Sequence, residues 1–421
     1  MILVSPRGRL TSWRRDKTRL PREAWVLIGA NAVAALGYGV VSPVLPAFAR
    51  TFGVSMGAVT FAITIFSVMR LCFAPPTGLL VQRLGEQWVY LGGLLVVSVS
   101  TGVCAFIHSY WQLLLFRAIG GIGSTMFFIS ALGLMIRISP PDARGRVAGL
   151  FATSFLVGAA AGPLVGSLTA GLGLRAPFLI YGVAVLITMI VVFYALRRST
   201  LGSPAEHTAP AVTVRSALRH RAYRASLLSN FATGWAVFGL RMAVVPLFIS
   251  DVLGRGPRMT GLALGLFAFG NLVVALPSGH LSDRIGRRTL LIGGFFGCSA
   301  ATVLLGASSS VSVFLIAAFL GGAGSGISAS PQQAAIADIL GSSARTGTAV
   351  STFQMMVDLG AIVGSMTVTE IAEHMSFEWG FVISAIVLLG AGVVWIFAPE
   401  TRVVGDGECE AWEAGGPSEL A

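Results

Sequence analysis

Twelve apolar stretches run through the chain, at residues 24–48, 57–79, 88–108, 110–137, 147–170, 176–196, 225–250, 260–281, 289–308, 311–336, 347–371 and 378–398. About 20 apolar residues is the length an α-helix needs to cross the hydrocarbon of a bilayer. In that solvent every backbone N–H and C=O must be satisfied within the chain, so only helices and closed barrels span it. Runs of this length select the helix. The pattern predicts an all-α membrane protein with twelve transmembrane helices. Composition supports the same reading: charged residues make up 11% of the chain, against about 25% in soluble domains.

The basic residues orient these spans, because cytoplasmic loops are enriched in Arg and Lys. With the N-terminus inside, 22 of the 29 Arg and Lys fall in cytoplasmic segments. Only Arg50, Arg175, Arg255 and Arg258 fall outside, and three more lie within spans. Both termini are therefore expected in the cytoplasm, with the chain multi-pass in the inner or plasma membrane. The net charge of +11 is read as this topology signal, with a contribution from contact with anionic headgroups; no nucleic acid is expected. The first apolar run is too long for the 7–15-residue core of a signal peptide, so it is expected to remain as a span. Cys72, Cys104 and Cys298 fall in spans and Cys409 in the tail, which suggests neither a disulfide framework nor a metal site.

One inter-span segment occurs twice. Gly279-His-Leu-Ser-Asp283-Arg284-Ile-Gly286-Arg287-Arg288 has a degenerate copy, Gly78-Leu-Leu-Val-Gln82-Arg83-Leu-Gly85-Glu86-Gln87, 201 residues earlier. The register persists beyond it. Gly92 and Gly93 match Gly293 and Gly294, while Gly120, Gly121, Gly123 and Ser124 match Gly321, Gly322, Gly324 and Ser325. With one residue of slip, Gly158 and Gly162 match Gly360 and Gly364. A two-fold repeat in an apolar chain points to a transporter whose halves rock about a central site. The expected organisation is a basic tail (1–23), a six-helix half (24–196), a cytoplasmic linker (197–224), a second six-helix half (225–398) and an acidic, disordered tail (399–421).

The doubled segment resembles the inter-helix signature of the major facilitator superfamily, G-x-L-x-D-R-x-G-R-R. The second copy matches it fully; the first has Gln82 and Glu86 in place of an Asp and an Arg. The resemblance implies a gate that locks the halves in the outward-facing state. It would be built on Gly78, Arg83, Gly85, Gly279, Asp283, Arg284, Gly286, Arg287 and Arg288, with Asp283 engaging the start of span 5 near Arg144 and Arg146. Span 5 carries Gly149, then Gly158-Ala-Ala-Ala-Gly162-Pro163-Leu-Val-Gly166-Ser167. This is similar to the antiporter motif of the superfamily's drug:proton antiporters, with Ser167 in place of the final Gly. Three glycines at intervals of four also make a small-residue packing face. In span 4, Arg117 with Gly120, Gly121 and Gly123 resembles R-x-x-Q-G-x-G, whose Arg the family links to proton transfer.

An ionisable group at the bilayer centre costs at least about 2.5–3.5 kcal/mol, so each is a functional candidate. Three arginines lie deep, Arg70, Arg117 and Arg241, with one deep acid, Asp358. Asp358 is read as the proton-binding carboxylate and Arg241 as its partner; the alternative is a static pair tying two helices of one half together. Ser351, Gln354, Asp358 and Ser365 share one helix face. Arg70 is expected on the substrate cavity or bonded to backbone carbonyls or Asn271. The cavity set is completed by Asn31, Tyr38, Trp235, Phe238 and Gln354, and Pro331 beside Gln332 and Gln333 is expected to break span 10.

Scattered histidines and the lack of a Gly-x4-Gly-Lys loop argue against an enzyme and against ATP-driven transport. The expectation is a secondary transporter exporting small amphipathic organic compounds by proton antiport. Its partners are the small-molecule substrate, protons and the bilayer, and it works as a monomer without cofactor or metal. The alternatives are a specific exporter or importer of an anionic metabolite and, in a different class, a membrane sensor or membrane-embedded enzyme.

Overall fold

The structure is a computed structural model that describes residues 22–138, 144–197, 214–340 and 347–401. The described residues are helical, with no strand among them. Among the described residues, twelve long helices follow the order expected of the spans. They are α1 (Arg22–Val41, extended past a turn by Leu45–Arg50), α2 (Met56–Leu84), α3 (Glu86–Val103), α4 (Tyr110–Ile138), α5 (Arg144–Thr169) and α6 (Ala176–Leu196). The second half holds α7 (Arg221–Asp251, in three segments), α8 (Pro257–Ile285), α9 (Arg287–Gly306), α10 (Val311–Leu340), α11 (Gly347–His374) and α12 (Phe377–Phe397). Eleven are long and apolar enough to cross a membrane by themselves. The remaining one, α3, is 18 residues long and begins Glu86-Gln87.

The expected break in span 10 is absent: α10 runs through Pro331 without interruption. Gln332 instead ties α10 to α7, donating to Ser229 Oγ at 3.3 Å and Asn230 Oδ1 at 3.2 Å. The middle segment of α7, Gly234–Val244, is wound as a π-helix. Such segments are rare and gather at functional sites. Most of the tails and of the linker, and the side chains of Arg144 and Arg146, lie outside the described residues.

The repeat seen in the sequence is a repeat of packing. A Cβ on Gly121 of α4 would collide with the carbonyl of Phe66 in α2; a Cβ on Gly322 of α10 would collide with the carbonyl of Phe267 in α8. Both members of each pair are offset by 201. Likewise Gly93 abuts the backbone of Gly123, and Gly294 that of Gly324. The expected glycine face of α5 lies on α1: Gly158 meets Ala32, Gly162 meets Leu36 and Gly39, and Gly166 meets Val40. Its mates Gly360 and Gly364 lie on Phe231 and Trp235 of α7. Without a hydrophobic force between helices in lipid, close backbone approach of this kind is what holds a bundle together.

Each doubled loop is a single-residue turn. Gly85 (φ +80°) and Gly286 (φ +101°), both with ψ near 155°, adopt a backbone region essentially open only to glycine. That reverses the chain between α2 and α3 and between α8 and α9.

The halves meet along two symmetry-related seams, α2 with α11 and α5 with α8. In the second, Gly261 and Gly265 of α8 receive Ser167 and Leu164 of α5. At the outer ends of α1 and α7, Arg50 grips Asp251 with two hydrogen bonds, Nη1 to Oδ1 at 2.5 Å and Nη2 to Oδ2 at 2.6 Å. Arg50 Nη1 also donates to Ser250 Oγ at 3.3 Å, its mate in the local register that aligns Pro46 and Phe48 with Pro246 and Phe248. A residue meeting its own mate lies at the pseudo-two-fold axis, so Arg50 and Asp251 latch the halves where the axis emerges.

Two tests follow from this packing. Gly162→Leu, whose Cβ would lie 2.5 Å from Leu36 O, should separate α1 from α5 and cost about 1–3 kcal/mol. Gly29→Leu, with open space around its Cβ, should leave the melting temperature in detergent unchanged. For the partly exposed latch, Asp251→Ala should weaken the protein by about 1 kcal/mol or less. Asp251→Arg should weaken it further, and adding Arg50→Asp should restore the melting temperature; a double swap that restores nothing would rule out an electrostatic latch.

Candidate functional site

The α2–α11 seam is a polar zipper in an apolar interface. Thr60 Oγ1 and Thr369 Oγ1 share a hydrogen bond at 2.8 Å, and Thr64 Oγ1 and Ser365 Oγ share one at 2.7 Å. All four side chains are buried. Two turns nearer the cytoplasm, about halfway along α2, Arg70 Nε stands 3.1 Å from Asp358 Oδ1. The guanidinium also lies 5.9 Å from the centre of the Phe128 ring. Residue numbers rise along α2 as they fall along α11, so the contacts stack from the outer surface to mid-depth. The polar face of span 11 is thereby placed: Ser365 and Asp358 both face α2.

The ion pair expected between Asp358 and Arg241 is not formed; Asp358 pairs with Arg70 across the two halves. Arg241 turns the other way, into the second half. It donates to Ala236 O at 3.0 Å and Thr302 Oγ1 at 3.4 Å, approaches Cys298 Sγ at 3.8 Å, and lies 4.1 Å from the centre of the Phe267 ring. It is 3% exposed. Similar depth brought Arg241 and Asp358 together in the sequence reading, but depth says nothing about which side of α7 a residue occupies. The Ala236 carbonyl lies five residues before Arg241, the spacing of the π-helical turn.

Arg117 has a different environment. Its Nε reaches Ala62 O at 3.4 Å and its guanidinium lies 4.6 Å from the centre of the Phe66 ring. Among the described residues it has no carboxylate partner. It stands in the wall of a cavity of about 90 Å³, enclosed by α1, α2, α3, α4 and α6 and closed by Phe238 and Met242 of α7. The other cavity candidates divide. Phe238 lines this space. Asn31 is fully buried and joins α1 to α5, donating to Phe151 O at 2.9 Å and Ser154 Oγ at 3.0 Å. Trp235 is buried in the second half and donates to Ser384 Oγ at 3.0 Å. Neither opens on the cavity. Gln354 is half-buried one turn before Asp358, and the side chain of Tyr38 lies outside the described residues.

At the cytoplasmic end, the intact loop is a charge network. Arg287 donates to Asp283 Oδ1 at 2.5 Å, Ser282 Oγ at 2.6 Å and Asp338 Oδ2 of α10 at 3.1 Å. Arg288 donates to the carbonyls of Trp395 and Ile396 at the end of α12. Glu400 accepts from the backbone N–H groups of Arg287 and Arg288, at 2.8 and 3.1 Å. A carboxylate there caps the N-terminus of α9 and complements its dipole. Burial pushes the Asp338 carboxyl up, against the opposing pull of Arg287. Asp283 is thus held within its own loop and its side chain remains largely exposed. Whether it also reaches Arg144 or Arg146 falls outside the described residues. In the degenerate copy Gly78 is half-buried and Arg83 is exposed.

Sequence signals for the α2–α11 pairing existed. Thr60 and Thr64 are four apart on one helix, Ser365 and Thr369 four apart on another, and each pair stands a few turns from a deep charge. The repeat, which maps α2 onto α8 and α5 onto α11, would have matched the seams.

Known proteins agree with this geometry. The sequence profile of the Major Facilitator Superfamily matches residues 27–256 and again 226–411. The multi-drug resistance efflux pump PmrA of Streptococcus pneumoniae is 24% identical over 369 residues, covering 85% of this chain and 90% of that protein. The class C tetracycline resistance protein of Escherichia coli is 26% identical over 387 residues, covering 90% and 96%. The multidrug efflux protein YfmO of Bacillus subtilis is 25% identical over 286 residues, covering 68% and 70%. Among solved structures, a bacterial homologue of the human lysosomal transporter Spinster, in an inward-facing and unoccupied conformation, superposes with a TM-score of 0.71 at 15% identity. That superposition covers 90% of this chain and 97% of the other. With twelve helices among the described residues, arranged in two matching halves, and a profile that matches twice along the chain, the chain is a multi-pass membrane protein that belongs to the Major Facilitator Superfamily.

Proposed function

We propose that this protein exports small amphipathic organic compounds from the cell in exchange for protons. It would act as a monomer in the cell membrane, with both termini cytoplasmic, by alternating access. The names of its relatives support the export reading, since PmrA, YfmO and the class C protein are named for drug efflux or tetracycline resistance. The observation that carries the coupling is the Arg70–Asp358 pair across the α2–α11 seam.

An opposite charge a few ångströms away favours an ionised carboxylate; in an apolar site without that charge the protonated form is favoured. Here the counter-charge belongs to the other half. When the outer ends are together, as in this structure, Arg70 faces Asp358 and the carboxylate gives up its proton on the cytoplasmic side. When the halves part at the outer seam, Asp358 is left without Arg70 and takes a proton from outside. Proton affinity thus alternates with the side to which the carrier opens. The ion pair also holds an empty carrier closed to the outside. Cargo entering beside the seam competes for the pair and lets the halves part. One proton moving with a potential of 100 mV supplies about 2.3 kcal/mol, enough for a roughly fiftyfold gradient. Arg241, sealed among its own partners, takes a structural role in this scheme.

The test is transport into inverted membrane vesicles, with and without a proton gradient, using cationic, neutral and anionic compounds. Wild-type protein should accumulate cargo when the gradient is imposed. Asp358→Asn should insert normally but lose the gradient dependence, its accumulation ratio falling from as much as roughly fifty to near one. Gradient-driven accumulation that survives in Asp358→Asn would overturn the role given to this carboxylate.

A further inference from the structure

Arg117 and Arg241 are both deep cations without an acidic partner among the described residues, yet only one of them is satisfied. Arg241 has a carbonyl, a hydroxyl and a thiol around its guanidinium, an aromatic face beneath it, and almost no accessible surface. Arg117 has one long bond from Nε to Ala62 O and the face of Phe66. No acceptor is given to its two terminal nitrogens among the described residues, and its open side lines the 90 Å³ cavity. The titratable groups acting on it are the Cys104 thiol and the Tyr181 phenol, neither a carboxylate. The Tyr181 hydroxyl is already engaged with Ala34 O at 3.2 Å.

A second polar group in this wall is unmatched. Ser42, on the turn after the first segment of α1, is 7% exposed, and its Oγ has no hydrogen-bond partner. A buried hydroxyl left without a partner is uncommon and calls for an explanation. A guanidinium with free N–H groups and an orphan hydroxyl around one small cavity make an acceptor for an anion. The rest of the wall, with Phe66, Phe238 and Met242, is largely apolar.

We propose that this cavity binds the carboxylate of a small organic anion, with Arg117 holding both carboxylate oxygens, Ser42 donating a further hydrogen bond, and the apolar body of the ligand lying against Phe238. The planar fork of a guanidinium matches a carboxylate, and such charge-assisted bonds are roughly twice as strong as neutral ones. A single cation matches a monoanion better than a phosphate dianion. The size fits as well: about 90 Å³ lies well below the roughly 300–1,000 Å³ of drug-sized pockets. Phe238 and Met242 are the wall residues from the second half, so separating the halves uncovers the site. As a cargo site it rests on the export reading above, but the binding itself needs no proton gradient.

Benzoate and its neutral counterpart benzamide, similar in size and shape, separate charge from fit. Titration calorimetry on the purified full chain in detergent should show saturable benzoate binding, with benzamide at least tenfold weaker. Arg117→Gln should reduce benzoate to the level of benzamide, Arg117→Lys should retain part of the preference, and Ser42→Ala should weaken benzoate a few-fold. Equal binding of the two compounds by wild-type protein, or no binding of either, would overturn the proposal whether or not the variants fold. So would benzoate affinity unchanged in Arg117→Gln. Because benzoate binding is read on wild-type protein without a proton gradient, a failure of proton coupling and a failure of this site give different results.

Discussion

A carboxylate at mid-depth in a membrane is held as an ion only where a cation stands beside it. Arg70 and Asp358 are in that position, 3.1 Å apart, and they lie on opposite halves. The surrounding contacts are consistent with the same constraint. Thr60, Thr64, Ser365 and Thr369 continue the seam towards the outer surface with hydroxyl pairs, and Arg50 pairs with Asp251 at the outer ends of α1 and α7. The interface between halves is therefore polar along α2 and α11, while the interfaces within each half are built on close backbone contact at glycines. A short line of polar contacts marks the boundary between the halves.

The repeat places these features. Within each half the same helix pairs meet at corresponding glycines, offset by 201 residues, or 202 between α5 and α11. The halves then meet through α2 with α11 and α5 with α8, which are exchanged by the same operation. Asymmetry enters in the charges. Arg70 has Asn271 as its mate, and Asn271 Nδ2 donates to Ser325 Oγ at 3.1 Å. The cytoplasmic loop between α8 and α9 keeps a full network around Arg287, whereas its counterpart has Gln82 and Glu86. The packing thus follows the repeat, while the charges do not.

Much of this was legible in the chain. The spans, the repeat and the glycine faces rest on local periodicity and spacing, which survive folding because lipid leaves the backbone no other choice. The functional pairings were less legible. Depth along a helix follows from residue counting, but direction around it depends on which neighbours it acquires. Arg241 lost its expected partner on that account, turning toward α8 and α9, and Asn31 and Trp235 became ties within their halves. Phe238 did reach the cavity. The orphan hydroxyl of Ser42 had no signal in the sequence, since its state depends on what the fold fails to bring near it.

Distances across the outer surface test the central claim, that Arg70 and Asp358 hold the halves together. Spin labels at Phe106 and Ala307, repeat mates on exposed outer loops, would report the separation by double electron–electron resonance. In cargo-free wild-type protein with Asp358 ionised, one short distance should dominate. In Asp358→Asn a second, longer distance should appear as the outer seam opens without cargo. Identical distributions in the two proteins would contradict the account.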